Sequence, residues 1–136
     1  MLFKLGHFTS AAGLDLAWKI ECNALDADDW ACVAAVMMPA LPPFHEVTGV
    51  PTGGFPLALA CRSYRTENAP AILVVDDVWT TGKSMRAHVA RFSQWVGLVA
   101  FARGELPDNV VCFAKLSESL LPRASRHWSE PSCRIA

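Results

Sequence analysis

The sequence contains no apolar run approaching the roughly 18 residues that a membrane-spanning helix requires. Its opening, MLFKLGHFTS, also lacks the long apolar region of a secretory signal. A cytoplasmic protein with no membrane partner is expected. Charge of one sign is equally scarce. The formal net charge is -1, and the lysines and arginines are spread along the chain rather than clustered. That leaves no electrostatic footprint for a nucleic-acid backbone, so nucleic acid is not expected as a partner. There is no C-x-x-C pair. The five cysteines, Cys22, Cys32, Cys61, Cys112 and Cys133, are odd in number and widely spaced, which reads as free, mostly buried thiols. His7, His45, His88 and His127 show no metal-ligand spacing. No internal repeat or low-complexity segment is found.

What the sequence does have is apolar content: 52% of its 136 residues. That suits one compact domain, 1-136, with one sizeable core. Leu2 to Cys22 has short apolar runs broken by Thr9, Ser10 and Gly13, and reads as one or two short strands capping the rest. Asp26 is an N-cap for a helix from about Ala27 to Met38, with Asp28 and Asp29 in its first turn and Pro42 and Pro43 beyond its end. A strand near Glu46 to Val50 leads into the turn Pro51, Thr52, Gly53, Gly54 and a helix from about Phe55 to Tyr64. Ala71 to Val75 is a continuous apolar run of the kind buried on both faces of a parallel sheet. A helix from about Ser84 to Gln94 puts Met85, Val89 and Phe92 on one face and Arg86 and Arg91 on the other. Strands near Leu98 to Ala102 and Val110 to Ala114 follow, then a polar tail in which Trp128 marks a docking residue. Strands alternating with helices predict an α/β architecture, a doubly wound and mostly parallel sheet.

In such sheets ligands sit beyond the carboxyl ends of the strands. The segment AILVVDDVWTTGKSM places Asp76 and Asp77 at the end of a buried strand, followed by Thr80, Thr81, Gly82, Lys83 and Ser84 at the start of a helix. Hydroxyls, a glycine and backbone N-H groups gathered there form an anion site. The neighbouring carboxylates suit a sugar diol or a hydrated Mg²⁺. Phosphate beside a vicinal diol describes a ribose 5-phosphate. A P-loop NTPase would need glycine where Asp77 stands, because an acid there repels phosphate. A response-regulator receiver would need a longer chain after Asp77. A dinucleotide-binding turn needs G-x-G-x-x-G after a strand, which Gly53 and Gly54 do not supply.

The run from Ala71 to Met85 closely resembles the phosphoribosyl-pyrophosphate signature of the type I phosphoribosyltransferases: an apolar strand, two acids, then T-T-G-x-S opening a helix. The resemblance implies that Asp76 and Asp77 are catalytic, contact the ribose hydroxyls and hold Mg²⁺ indirectly, through water or the ribose. It implies that Thr80, Thr81, Gly82, Lys83 and Ser84 cradle the 5-phosphate. Thr52, Gly53 and Gly54 occupy the place of the family's pyrophosphate loop, with Thr52 where that family often has Arg or Lys. Gly6 to Gly13, GHFTSAAG, is similar to the opening of the orotate-specific members and implies that Phe8 lies against the base. Phe101 to Glu105 resembles the segment whose arginine holds the carboxylate of orotate, so Arg103 is implied in that role, through a bidentate fork that lysine cannot copy. Trp18, Trp30, Trp95 and Trp128 read as core or interface, and Trp79 as a residue packing over the site or sealing a dimer contact.

One feature departs from the family pattern. Its members usually carry an extra strand and a long mobile loop between the helix after the pyrophosphate loop and the signature strand. Here Arg65 to Pro70 alone makes that connection, with Arg62 and Arg65 as the nearby basic residues. The expectation is a Mg²⁺-dependent phosphoribosyltransferase taking phosphoribosyl pyrophosphate and a base, most similar to the orotate enzymes and dimeric as the family suggests. The alternatives are a binding module that senses phosphoribosyl pyrophosphate or a nucleotide, and a transferase for a purine or another base.

Overall fold

The computed structural model describes residues 1–10 and 13–116. The expected tail, with His127, Trp128 and Cys133, lies outside the described residues. The N-terminal segment forms an antiparallel hairpin of β1 (Phe3–Thr9) and β2 (Asp15–Ile20), with Phe3 opposite Ile20 and Leu5 opposite Trp18. A 3-10 turn, Cys22–Ala24, leads to α1 (Ala27–Met37). The start of α1 is fixed by a reciprocal capping box. Asp29 N-H donates to Asp26 Oδ1, and Asp26 N-H donates to Asp29 Oδ2, both at 2.9 Å.

Four parallel strands form the sheet, in the order β3 (Phe44–Gly49), β4 (Ala71–Trp79), β5 (Trp95–Ala102), β6 (Val110–Lys115). Alternation along β4 and β5 splits the core between the two faces. Leu73, Val75, Leu98 and Ala100 face α1 and α2 (Phe55–Cys61), where Trp30, Val33, Leu57 and Cys61 are buried. Val74 and Val99 face the other way, onto Met85 and Val89 of α3 (Lys83–Val89). The sheet is thus covered on both faces, as the alternation of elements requires.

Several boundaries differ from the sequence-based expectation. β4 does not end at Val75 but continues through both acids to Trp79, because β5 goes on pairing with it as far as Ala102. α3 stops at Val89 rather than Gln94. Phe92 N-H donates to Val89 O at 2.8 Å, and the chain then turns so that Gln94 O accepts from Ile72 N-H at 3.1 Å, which aligns β5 beside β4. β5 accordingly begins at Trp95, ahead of Leu98.

Candidate functional site

β3 ends beside Val75, four residues before β4 does, with Gly49 opposite Val75 and Val50 N-H donating to Val75 O at 2.8 Å. Parallel pairing therefore sets loop 50–54 against β4 at Val75 and Asp77, a few residues ahead of loop 80–84. Val50, Gly54 and the β4 backbone pack so closely that a Cβ at Gly54 would lie 2.6 Å from Val50 N. Gly53 leaves space for a carboxylate. A Cβ there would lie 2.5 Å from Asp77 Cγ, so the Asp77 side chain rests directly on the loop. The Pro51–Thr52 peptide is cis, and Thr52 is exposed.

The two acids differ in environment. Asp76 is buried, and its Oδ1 accepts from Asp77 N-H at 2.9 Å. Asp77 is partly exposed, and its Oδ1 accepts from Val78 N-H at 2.7 Å. Burial pushes the Asp76 carboxyl up to about 8; the Asp77 side chain adds to the rise by hydrogen bond and by charge, and the Asp77 N-H opposes it. Cys22, at the turn after β2, stands beside them. Its thiol is pushed up to about 12 by burial first, then by the charge of Asp77 and a hydrogen bond to it. A cysteine next to the acids carried no signal in the sequence, since the contact depends on where the hairpin docks.

Asp76, Thr80, Thr81, Gly82, Lys83 and Ser84 line a cavity of about 340 Å³ together with Trp79. Gly82 adopts φ 76°, a left-handed conformation natural to glycine, and the Trp79 ring packs onto it. The indole N-H of Trp79 donates to Glu105 O at 3.1 Å, and Arg103 N-H donates to Trp79 O at 2.8 Å. Buried Trp79 thus ties loop 80–84 to the segment after β5. Arg86, exposed on the outer face of α3 as its spacing predicts, reaches back to donate to Thr81 O at 2.7 Å and lies 5.3 Å from the Trp79 ring centroid. Lys83 places a cation in the lining of this cavity, which suits a phosphate, and Arg86 lies outside the lining, bonded to Thr81.

Arg103, at the end of β5, is buried and its charged form is disfavoured by that burial. Its guanidinium stacks 3.8 Å from the Trp18 ring centroid and Nη2 donates to Trp18 O at 2.9 Å. The hairpin therefore brings Trp18, and not Phe8, against Arg103. Phe8 lies under Lys19, whose Nζ is 4.8 Å from the ring centroid, and Lys19 is the residue next to Trp18, on the opposite side of the strand. Arg62 and Arg65 lie at the other end of the sheet, beyond the carboxyl end of α2, where Thr66 N-H donates to Phe44 O at 2.8 Å. Arg65 pairs there with Glu46 at 3.7 Å. Neither supplies charge to loop 50–54.

Among the described residues, no group of three or more His, Cys, Asp or Glu side chains could enclose a metal ion, and no helix is long and apolar enough to cross a membrane. The acid pair alone offers few oxygens. It fits a cation whose remaining ligands come from a bound diphosphate and sugar, not one caged by the protein.

No protein-family model matches the chain, and no curated protein does. Solved structures do match. The orotate phosphoribosyltransferase of Aeropyrum pernix is similar with a TM-score of 0.66 and 22% sequence identity, over 85% of this chain and 88% of that one. The UMP synthase of Leishmania donovani is similar with a TM-score of 0.68 and 15% identity over 85% of this chain, which spans 34% of that longer protein. The orotate phosphoribosyltransferase of Francisella tularensis gives a TM-score of 0.52 and 14% identity, covering 79% and 69% of the two chains. At these identities the likeness is one of fold: the chain has the α/β fold of orotate phosphoribosyltransferase structures.

Proposed function

We propose that the protein binds 5-phosphoribosyl-1-pyrophosphate and transfers its phosphoribosyl group to a nitrogenous base, orotate first among the candidates, releasing pyrophosphate. The observation that carries the reading is the cavity at the end of β4, which Thr80 to Ser84 line together with Asp76, next to Asp77. Phosphate fits the loop, and the ribose hydroxyls fit Asp76 and Asp77. Loop 50–54, with Thr52, Gly53 and Gly54, offers backbone to the diphosphate. Mg²⁺, held by the diphosphate and by Asp76 and Asp77 indirectly, would neutralise charge on the leaving group. The protein's own part is positioning, with Arg103 oriented toward the base.

A second reading has its own support. With Arg62 and Arg65 at the far end of the sheet, loop 50–54 itself contains no basic side chain, so little assists a departing pyrophosphate. That favours a binding module sensing phosphoribosyl pyrophosphate or a nucleotide, while the Arg103 segment favours the orotate enzyme over a purine transferase. Isothermal titration calorimetry with phosphoribosyl pyrophosphate and Mg²⁺, followed by orotate in the same cell, separates them. Binding followed by heat of turnover supports the transferase. Binding without turnover supports the module, and no binding removes both. Asp77→Asn should abolish turnover with the fold intact; undiminished turnover would overturn the role of the acid pair.

A further inference from the structure

Two buried donors in the described residues have no hydrogen-bond acceptor: Trp18 Nε1 and Arg103 Nε. They belong to one stack, the Arg103 guanidinium lying 3.8 Å from the Trp18 ring centroid. Buried N-H groups without acceptors are rare, because each forfeits its hydrogen bonds to water and regains nothing. Two of them in a single contact, one on a cation, mark a place that lacks an acceptor. The stack is also held firmly. Arg103 Nη2 donates to Trp18 O at 2.9 Å, fixing the guanidinium plane, while Phe3 packs edge-on against the indole at 5.8 Å and against Phe101 at 6.5 Å. The free Nε edge therefore has one orientation, set by Trp18.

We infer that Trp18 is a second base-recognition residue: the indole N-H and Arg103 Nε together receive the acceptor atoms of a planar base that carries a carboxylate. This rests on the transferase reading for the presence of a base, and adds a residue whose aromatic character alone reads as core. Selectivity follows from the donors themselves. A base without the carboxylate leaves buried N-H groups unmet, and sites built on such donors reject the lacking analogue strongly.

The test is proton–nitrogen NMR of the tryptophan indole groups in the full chain, titrated with orotate and with uracil, each with and without phosphoribosyl pyrophosphate and Mg²⁺. Orotate should move the Trp18 indole signal downfield and uracil should not. Trp18→Phe, which keeps a stacking ring and loses the N-H, should bind orotate about tenfold more weakly, as expected for one hydrogen bond to a charged group. A Trp18 signal unmoved at the highest orotate concentration overturns the inference, as does undiminished orotate binding by the variant. Phosphoribosyl pyrophosphate shifts with a silent Trp18 would remove this inference alone. Orotate shifts at Trp18 without any response to phosphoribosyl pyrophosphate would remove the transferase reading and leave the base site standing.

Discussion

Replacing Asp76 with asparagine should change how stability depends on pH, and the direction follows from the burial of Asp76. The folded protein holds the Asp76 proton up to about 8, against 3.8 for the free side chain. The folded state therefore binds this proton more tightly than the unfolded state. Stability from the group is complete below the unfolded value, and is lost as pH rises toward the folded one. The slope across that window is at most about 1.4 kcal/mol per pH unit. The asparagine side chain is neutral throughout, and its amide can donate to the Asp77 carboxylate that now accepts from the Asp76 proton. Urea titrations followed by tryptophan fluorescence at several values between about pH 5 and 8 read both proteins on the same scale. Groups shared by both proteins largely cancel in the difference. The variant should gain on the wild type steadily as pH rises, by about 1 kcal/mol or more per unit. A difference that stays flat over that interval would refute the argument that Asp76 is held protonated by its surroundings.

Gly82→Ala places a methyl group in the Trp79 ring at φ 76°, so it should cost about 2 kcal/mol or more in urea unfolding and weaken phosphate binding with it. Gly53→Ala pushes on the Asp77 carboxyl from a surface loop. It should reduce calorimetric affinity for phosphoribosyl pyrophosphate while moving the melting temperature little. Asp26→Ala removes one half of the capping box of α1 and should lower stability by about 1 kcal/mol, with ligand affinity unchanged.

Local chemistry was legible in the sequence wherever a residue acts on its chain neighbours. Asp26 caps α1 because its side chain reaches backbone three positions away, and Thr80 to Ser84 open α3 within the same run of sequence as the strand before them. Elements whose limits are set by distant partners were not legible. β4 extends past its acids since β5 pairs with Val78 and Trp79, and no pattern within Ala71 to Trp79 encodes that. The site shows the same division. Asp76, Asp77 and the loop after them stand together in one run of sequence, whereas Cys22 beside Asp77, and Trp18 beneath Arg103, come from a hairpin far away along the chain. Helical spacing puts Arg86 on the face away from Met85 and Val89, where it is exposed, and its length lets it reach back to Thr81 and Trp79.

The order β3-β4-β5 explains what the short connection from Arg65 to Pro70 does to the fold. The crossovers β3-α2-β4 and β4-α3-β5 step in the same direction across the sheet, yet α2 and α3 lie on opposite faces. Two such crossovers must have opposite hands, although parallel crossovers nearly always share one. An additional strand outside β3, entered from α2, would reverse the step of the first crossover and restore a common hand. The connection 65–70 therefore reads as the direct route left when such a strand is absent, and β3 becomes an edge. That edge is guarded: Glu46 Oε1 accepts the Val47 N-H at 2.9 Å and pairs with Arg65, so charge and a side-chain hydrogen bond occupy backbone that would otherwise invite another strand. The same absence that shapes the sheet leaves loop 50–54 beside Asp77 and without a basic side chain of its own.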